Sequence, residues 1–187
     1  MLLLKILIFI FLLYYMKHIL LTLLISIVSI SISAQNLTMA QILEVKKKDL
    51  GNAEEYLTAR GWEFSEAEEP SFSKFGSVTF TYNKSETSSR AESFFTYLFS
   101  SHSDVTRVSI QVIKKSKYTE YINAIKGFGC GLISSKVEDG NIVKVYRGKT
   151  TTFKVISGTS ENFFNEETAI WHLIIFSNED YDAVYGD

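Results

Sequence analysis

Ser77-Val78-Thr79-Phe80-Thr81-Tyr82 alternates polar and apolar side chains without a break. Successive side chains of a strand point to opposite faces, so this run predicts a strand with one face on a core. The same period of two recurs on both sides of it. Trp62 and Phe64 alternate with Glu63 and Ser65, and Val108, Ile110 and Val112 alternate with Arg107, Ser109 and Gln111. Ser93 to Phe99 is richer, with Phe94 and Leu98 on one side and Phe95, Tyr97 and Phe99 on the other, which predicts cover on both faces. Pro70 to Gly76 and Asn83 to Arg90 carry the Ser, Asn, Pro and Gly of loops.

Upstream of these strands the period lengthens. Thr38-Met39-Ala40-Gln41 has the spacing of a capping box, and it predicts a short helix with Ile42 and Leu43 on its apolar side and Lys46 to Lys48 in its last turn. Gly51-Asn52 then interrupts, and Asn52 with Glu55 offers the cap of a second helix running to Arg60 through Tyr56 and Leu57. Gly61 is placed to end it in the left-handed conformation.

Downstream the pattern starts again. Ser116 is placed to cap a helix in which Tyr118, Tyr121, Ile122 and Ile125 share a face, and Gly127 stands where Gly61 stood, 66 positions later. Four strand candidates come next: Leu132 to Val137, Ile142 to Arg147 beyond the hairpin signal Asp139-Gly140, Thr151 to Ile156, and Thr168 to Phe176. The expected fold is α+β, with antiparallel sheet covered on one face by short helices, in two helix-plus-four-strand units at 35–115 and 116–187 whose sheets lie side by side or run on as one.

This order of elements resembles that of the β-lactamase-inhibitor-protein family, in which tandem units each set a short helix pair before a four-stranded antiparallel sheet. Thr38 to Arg60 with Gly61, Ser116 to Ile125 with Gly127, and the eight strands carry the resemblance over nearly the whole chain after the leader. It implies a fold and no site, because no family motif is matched residue by residue and the disulfides common in that family cannot form with Cys130 alone. Envelope assembly lipoproteins with a helix pair and three strands are similar to one such unit, but lack the second and start at a lipidated Cys. Fold likeness does not set function.

Residues 1–34 are Leu, Ile, Phe and Val broken by Lys5 and Lys17-His18, and they close on Ser31-Ile32-Ser33-Ala34 before Gln35. A basic start, an apolar stretch and a small-residue exit predict a signal peptide cut between Ala34 and Gln35, and secretion or periplasmic export. Met16-Lys17-His18 with the apolar run Ile19 to Ser33 forms such a signal by itself, so Met16 is an alternative start. If instead the leader is retained, its length suits a membrane anchor.

The remaining 153 residues keep seventeen of nineteen Lys and Arg against all twenty-one Asp and Glu, a net charge of −4. That balance argues against nucleic acid, whose phosphates call for a basic face. Cys130 is the only cysteine, so an exported chain would hold its fold without internal disulfides. Asn36-Leu37-Thr38 and Asn83-Lys84-Ser85 fit the glycosylation acceptor pattern.

Chemistry-bearing patterns are sparse. His102 lies in the polar stretch Ser100 to Asp104, and His172 alternates with Trp171 and Leu173 on a strand. The sequence contains no metal-binding His-Glu-x-x-His, no Cys pair and no phosphate loop; Gly148-Lys149-Thr150 reads as a hairpin turn. The acidic tail Asn178 to Asp182 lacks the glycine and final Glu of a calcium loop and reads as a solvated end. Glu66, Glu68 and Glu69 read as a loop before Pro70. No catalytic residue, metal or cofactor is assigned.

Aromatic residues exceed the needs of a small core: Trp62, Tyr82, Tyr97, Phe99, Phe163, Phe164 and Trp171. Aromatics in loops and on open faces bury much area for little lost rotamer freedom, which suits contact surfaces. The expected function is an exported, non-enzymatic module that offers the open face of its sheet, with Tyr97 and Phe99 or Phe163 and Phe164, to another exported or envelope protein. Membrane contact would come only through an uncleaved leader. The alternatives are a secreted hydrolase using His102 or His172 and a small-ligand carrier.

Overall fold

The alternating runs pair into eight strands: β1 Trp62–Glu68, β2 Gly76–Lys84, β3 Ala91–Phe99, β4 Thr106–Val112, β5 Gly131–Glu138, β6 Asn141–Arg147, β7 Thr151–Glu161 and β8 Glu167–Ser177. They form an antiparallel sheet in the order β1-β2-β3-β4-β8-β7-β6-β5, so the two sets of four are joined through β4 and β8 into one continuous layer. The computed structural model describes residues 11, 14–17, 36–86, 90–161 and 167–186. The expected cut at Ala34-Gln35 and the pair Phe163-Phe164 lie outside them. The chain divides into two units, Met1–Gln35 and Asn36–Asp187. In the first, residues 14–17 are helical, and no helix among the described residues is long and apolar enough to cross a membrane.

Four helices accompany the sheet: α1 Met39–Val45, α2 Leu50–Thr58, α3 Lys115–Gly127 and α4 Asn178–Tyr185. Thr38 and Gln41 close the expected capping box, with the Thr38 amide donating to Gln41 Oε1 at 2.8 Å and the Gln41 amide donating to Thr38 Oγ1 at 3.3 Å. α1 stops at Val45, so Lys46 is its C-cap and the lysines come after the helix instead of filling its last turn. The second cap is Asp49, not Asn52: its Oδ1 accepts the Asn52 amide at 2.8 Å, which draws Gly51 and Asn52 into the first turn. A carboxylate there also meets the positive end of the helix dipole. α3 opens at Lys114 with no side-chain cap, and Ser116 lies inside its first turn.

The glycine that ends α3 also differs from expectation. Gly127 is helical, and the left-handed residue is Gly129 at φ 77°, matching Gly61 at φ 80° at a spacing of 68 residues. The Phe128 amide donates to Ala124 O at 2.9 Å, and the Gly129 amide to Lys126 O at 2.9 Å, so hydrogen bonding carries the turn two residues past Gly127. The spacing of 68 also relates the bulges of β1 and β5, since register shifts between Phe64 and Glu66 and again between Leu132 and Ser134. At the seam Ser109 pairs with Ile174, and the flanking pairs are Val108 with Ile175 and Ile110 with Leu173. Because Phe95 pairs with Ile110 on one side and Phe153 with Ile175 on the other, the ladder is symmetric about Ser109–Ile174.

Apolar positions of the alternation set the core. Trp62, Phe80, Phe95, Tyr97, Val108, Ile110, Phe153, Val155, Leu173 and Ile175 are buried in one cluster with Leu37, Met39 and Ile42 around α1, Leu57 of α2, and Tyr121 and Ile125 of α3. Three helices therefore share one face of the sheet, as expected. Buried hydroxyls tie the first covered segment down: Tyr97 Oη donates to Lys48 O at 2.7 Å and Tyr121 Oη to Leu37 O at 2.8 Å. Glu66 and Glu68, read as a loop, belong to β1. The tail read as a solvated end is α4, and it packs on β7 and β8 from the other face, where Tyr181 and Tyr185 meet the ring of Phe176.

Candidate interaction surface

Residues that alternate with the core set build the second face. Cross-strand register aligns Phe94, Gln111, His172, Ile156 and Val143 in one row over β3, β4, β8, β7 and β6. Strands lie about 4.8 Å apart, so this row runs roughly 19 Å across the middle of the sheet. The next row is Thr79, Thr96, Ser109, Ile174 and Lys154, in which the Thr79 and Thr96 hydroxyls hydrogen-bond at 3.2 Å. Phe94, Leu98, Ile156, Ile170, Gln111, His172 and Ile174 are all half-buried, neither in the core nor fully in water. Burial lowers the basicity of the His172 imidazole below the ordinary histidine range, so the row is uncharged at neutral pH.

α4 covers one end of this face and is clipped there by paired charges. Arg107 donates from Nε and Nη2 to the two carboxylate oxygens of Asp180, each at 2.7 Å. Arg147 grips Asp182 in the same two-pronged way at 2.6 and 2.7 Å. The Asp180 side chain is only 6% exposed, while its guanidinium partner also lies 4.2 Å from the Phe75 ring and 5.3 Å from that of Phe176. Ser177 caps the helix by accepting the Asp180 amide at 3.1 Å, and Asn178 accepts the Thr152 hydroxyl at 2.8 Å. Arg147 holds the Asp182 carboxyl below the usual carboxylate range.

The residues singled out in the sequence fall in different places. Tyr97 is 2% exposed and faces the core, where its hydroxyl serves Lys48; Phe99 packs half-buried against the same core. Neither stands on the second face. His102 lies in the loop after β3, with Nδ1 at 2.7 Å from Ser101 Oγ and its ring 5.2 Å from that of Phe72, an aromatic that is 90% exposed. His172 instead pairs with Gln111 in the middle of the sheet, so the two histidines are not brought together. Asn36 of the first glycosylation pattern is buried and donates to Ser93 Oγ, whereas Asn83 of the second is exposed. Cys130 is buried, and burial raises its thiol pKa.

Sequence reasoning misses Phe94, Gln111, Ile156 and Ile174 as contact residues. Their signal is present, since each occupies the position of its alternating run that the core set leaves free. A second feature is an open groove of ≈ 240 Å³ between α2 and the β1–β2 edge, lined by Leu50, Glu54, Phe64, Val78 and Phe80. Among the described residues no group of three or more His, Cys, Asp or Glu is placed to hold a metal ion. Comparison with protein-family models, with curated proteins and with solved structures finds no match to this chain.

Proposed function

We propose that this protein is an exported, non-enzymatic interaction module that binds another exported or envelope protein through the second face of its sheet. The observation that carries this reading is the uncharged, half-buried row Phe94–Gln111–His172–Ile156, left by α4 across the middle of the sheet and ending on buried Val143. A face of half-buried apolar side chains with a few amides and hydroxyls has the composition of a contact surface, whose centre is poor in charge. The apolar leader ending at Ala34 supports export. A hydrolase based on His172 has less support, because its cross-strand neighbours are Gln111 and Ile156 and no carboxylate stands in that row.

Ile174→Lys tests the reading, since a lysine there sets an unpaired charge in the middle of the face without touching the core cluster. In affinity recovery from the secreted or envelope fraction, a partner bound by the native chain is expected to be lost with Ile174→Lys. It should be retained with Thr119→Lys on the exposed side of α3. Equal recovery by both variants contradicts the proposal.

A further inference from the structure

The ladder that is symmetric about Ser109–Ile174 relates the two halves of the second face by a pseudo-two-fold axis, and α4 lies on one side of that axis. The axis carries Ile175 onto Ile110, 65 positions apart, and Phe153 onto Phe95, 58 positions apart. Residues that seat α4 can therefore be followed across it. Phe176, against which Tyr181 and Tyr185 pack, is matched by Gln111. Arg107, which clasps Asp180, is matched by His172. Thr152, which donates to Asn178, is matched by Phe94.

The row Phe94–Gln111–His172 is thus the symmetry mate of a place where this protein already seats a helix. The difference is cover. Under α4 the side chains of Phe176 and Thr152 are 2% and 0% exposed, whereas Phe94, Gln111 and His172 are half-buried. A second helix fits beside α4, since the four residues from Arg107 to Gln111 span about 13 Å along β4 and packed helix axes need only about 8–10 Å.

Charge sets the chemistry of the occupant. α4 turns Asp180 and Asp182 toward Arg107 and Arg147, but the matching positions are His172 and Thr81, because Tyr146 against Phe153 corresponds to Phe80 against Phe95. Glu92, two residues before Phe94, is held by Lys114 at 2.7 Å. A carboxylate laid on this seat would be buried without a cation.

We infer that the seat formed by Phe94, Gln111 and His172 receives an amphipathic helix of a partner protein, its contact stripe uncharged, with an apolar side chain on Phe94 and amide or hydroxyl groups at Gln111 and His172. This rests on the second face being the contact surface and names the element that the surface takes. α4 of a second copy does not suit the seat, because it would bring Asp180 and Asp182 with it.

The sequence of α4 supplies the probe. Peptides of residues 177–186 with blocked ends, stapled through positions 179 and 183 that are both exposed on α4, are titrated into the full chain at neutral pH and followed by amide NMR. The form with Asp180→Asn and Asp182→Asn is expected to shift the amides of Phe94, Gln111 and His172 and to bind about ten-fold or more tightly than the native-sequence form. His172→Arg in the chain sets a guanidinium at the place matching Arg107 and should reverse that preference. Phe94→Ala introduces no charge and should weaken binding of the uncharged form about five-fold or more.

Shifts that map away from this row, or an unstapled Ala183→Pro form that binds as well as the stapled one, overturn the inference. So does self-association by light scattering that is lost with Ile174→Lys, which gives the seat to a second copy. If a partner is recovered and lost with Ile174→Lys while the helical probe does not bind, the contact surface stands and the helix is wrong. If the probe binds as expected and Ile174→Lys loses no partner, the helix seat stands and the contact surface is wrong.

Discussion

At the scale of single residues, two glycines two positions apart do opposite things. A Cβ at Gly127 or at Gly129 meets nothing within 4 Å, so backbone conformation alone decides the outcome of adding one. Gly127 is helical and Gly129 has φ 77°. Gly127→Ala is expected to stabilise the fold by a few tenths to about 1 kcal/mol, and Gly129→Ala to destabilise it by about 1 kcal/mol. Urea titrations of the two variants check the pair, and equal effects would contradict the assigned helix end. The sequence points to Gly127 because its residues alone do not tell where i→i+4 bonding stops; the Phe128 amide carries it one residue further, onto Ala124 O, and the Gly129 amide closes the last turn on Lys126 O, three residues back. His172 gives a second residue-scale test. Burial lowers its folded pKa, so the unfolded chain binds the proton more readily, and this contribution to stability is complete above about pH 6.5 and is lost as pH falls below it. His172→Gln should flatten the loss of stability between about pH 7 and about pH 5 relative to the native chain; an unchanged slope counts against a buried neutral imidazole.

At the scale of elements, strands are the most legible feature and α4 the least. Alternation identifies β1, β2 and β4, because a one-residue slip would put every apolar side chain on the wrong face, and apolar runs set between turn signals identify the other five. The acidic run Asn178 to Asp182 hides a helix, since charge reads as solvent while the partners Arg107 and Arg147 lie 73 and 35 residues away. Its signals are Ser177 three residues before Asp180 and the pair Tyr181 and Tyr185 one turn apart. Asp180 is the clip most sensitive to change. Asp180→Ala is expected to cost about 3 kcal/mol, because it leaves a largely buried guanidinium without its carboxylate. Replacing both partners, Asp180→Leu with Arg107→Met, should cost less than the single change, as read in a double-mutant cycle by thermal or denaturant unfolding. Equal or additive costs would show that the pair is not coupled.

For the whole molecule, the deciding point is whether eight strands make two sheets or one. Local alternation fixes which face a strand presents and is silent on which strand lies beside it; the neighbours of β4 are set by the β4–β8 ladder, a contact 65 residues apart between Ser109 and Ile174. The candidate surface depends on that seam, since Gln111 and His172 sit on either side of it. The site is legible as an open sheet face and not as residues, because exposed aromatics attract attention while Tyr97 and Phe99 serve the core. A solution NMR measurement of cross-strand contacts between β4 and β8 tests the account most directly. Contacts of Val108 with Ile175, Ser109 with Ile174 and Ile110 with Leu173 are the predicted result; two four-stranded sheets with no contact between those strands would contradict it.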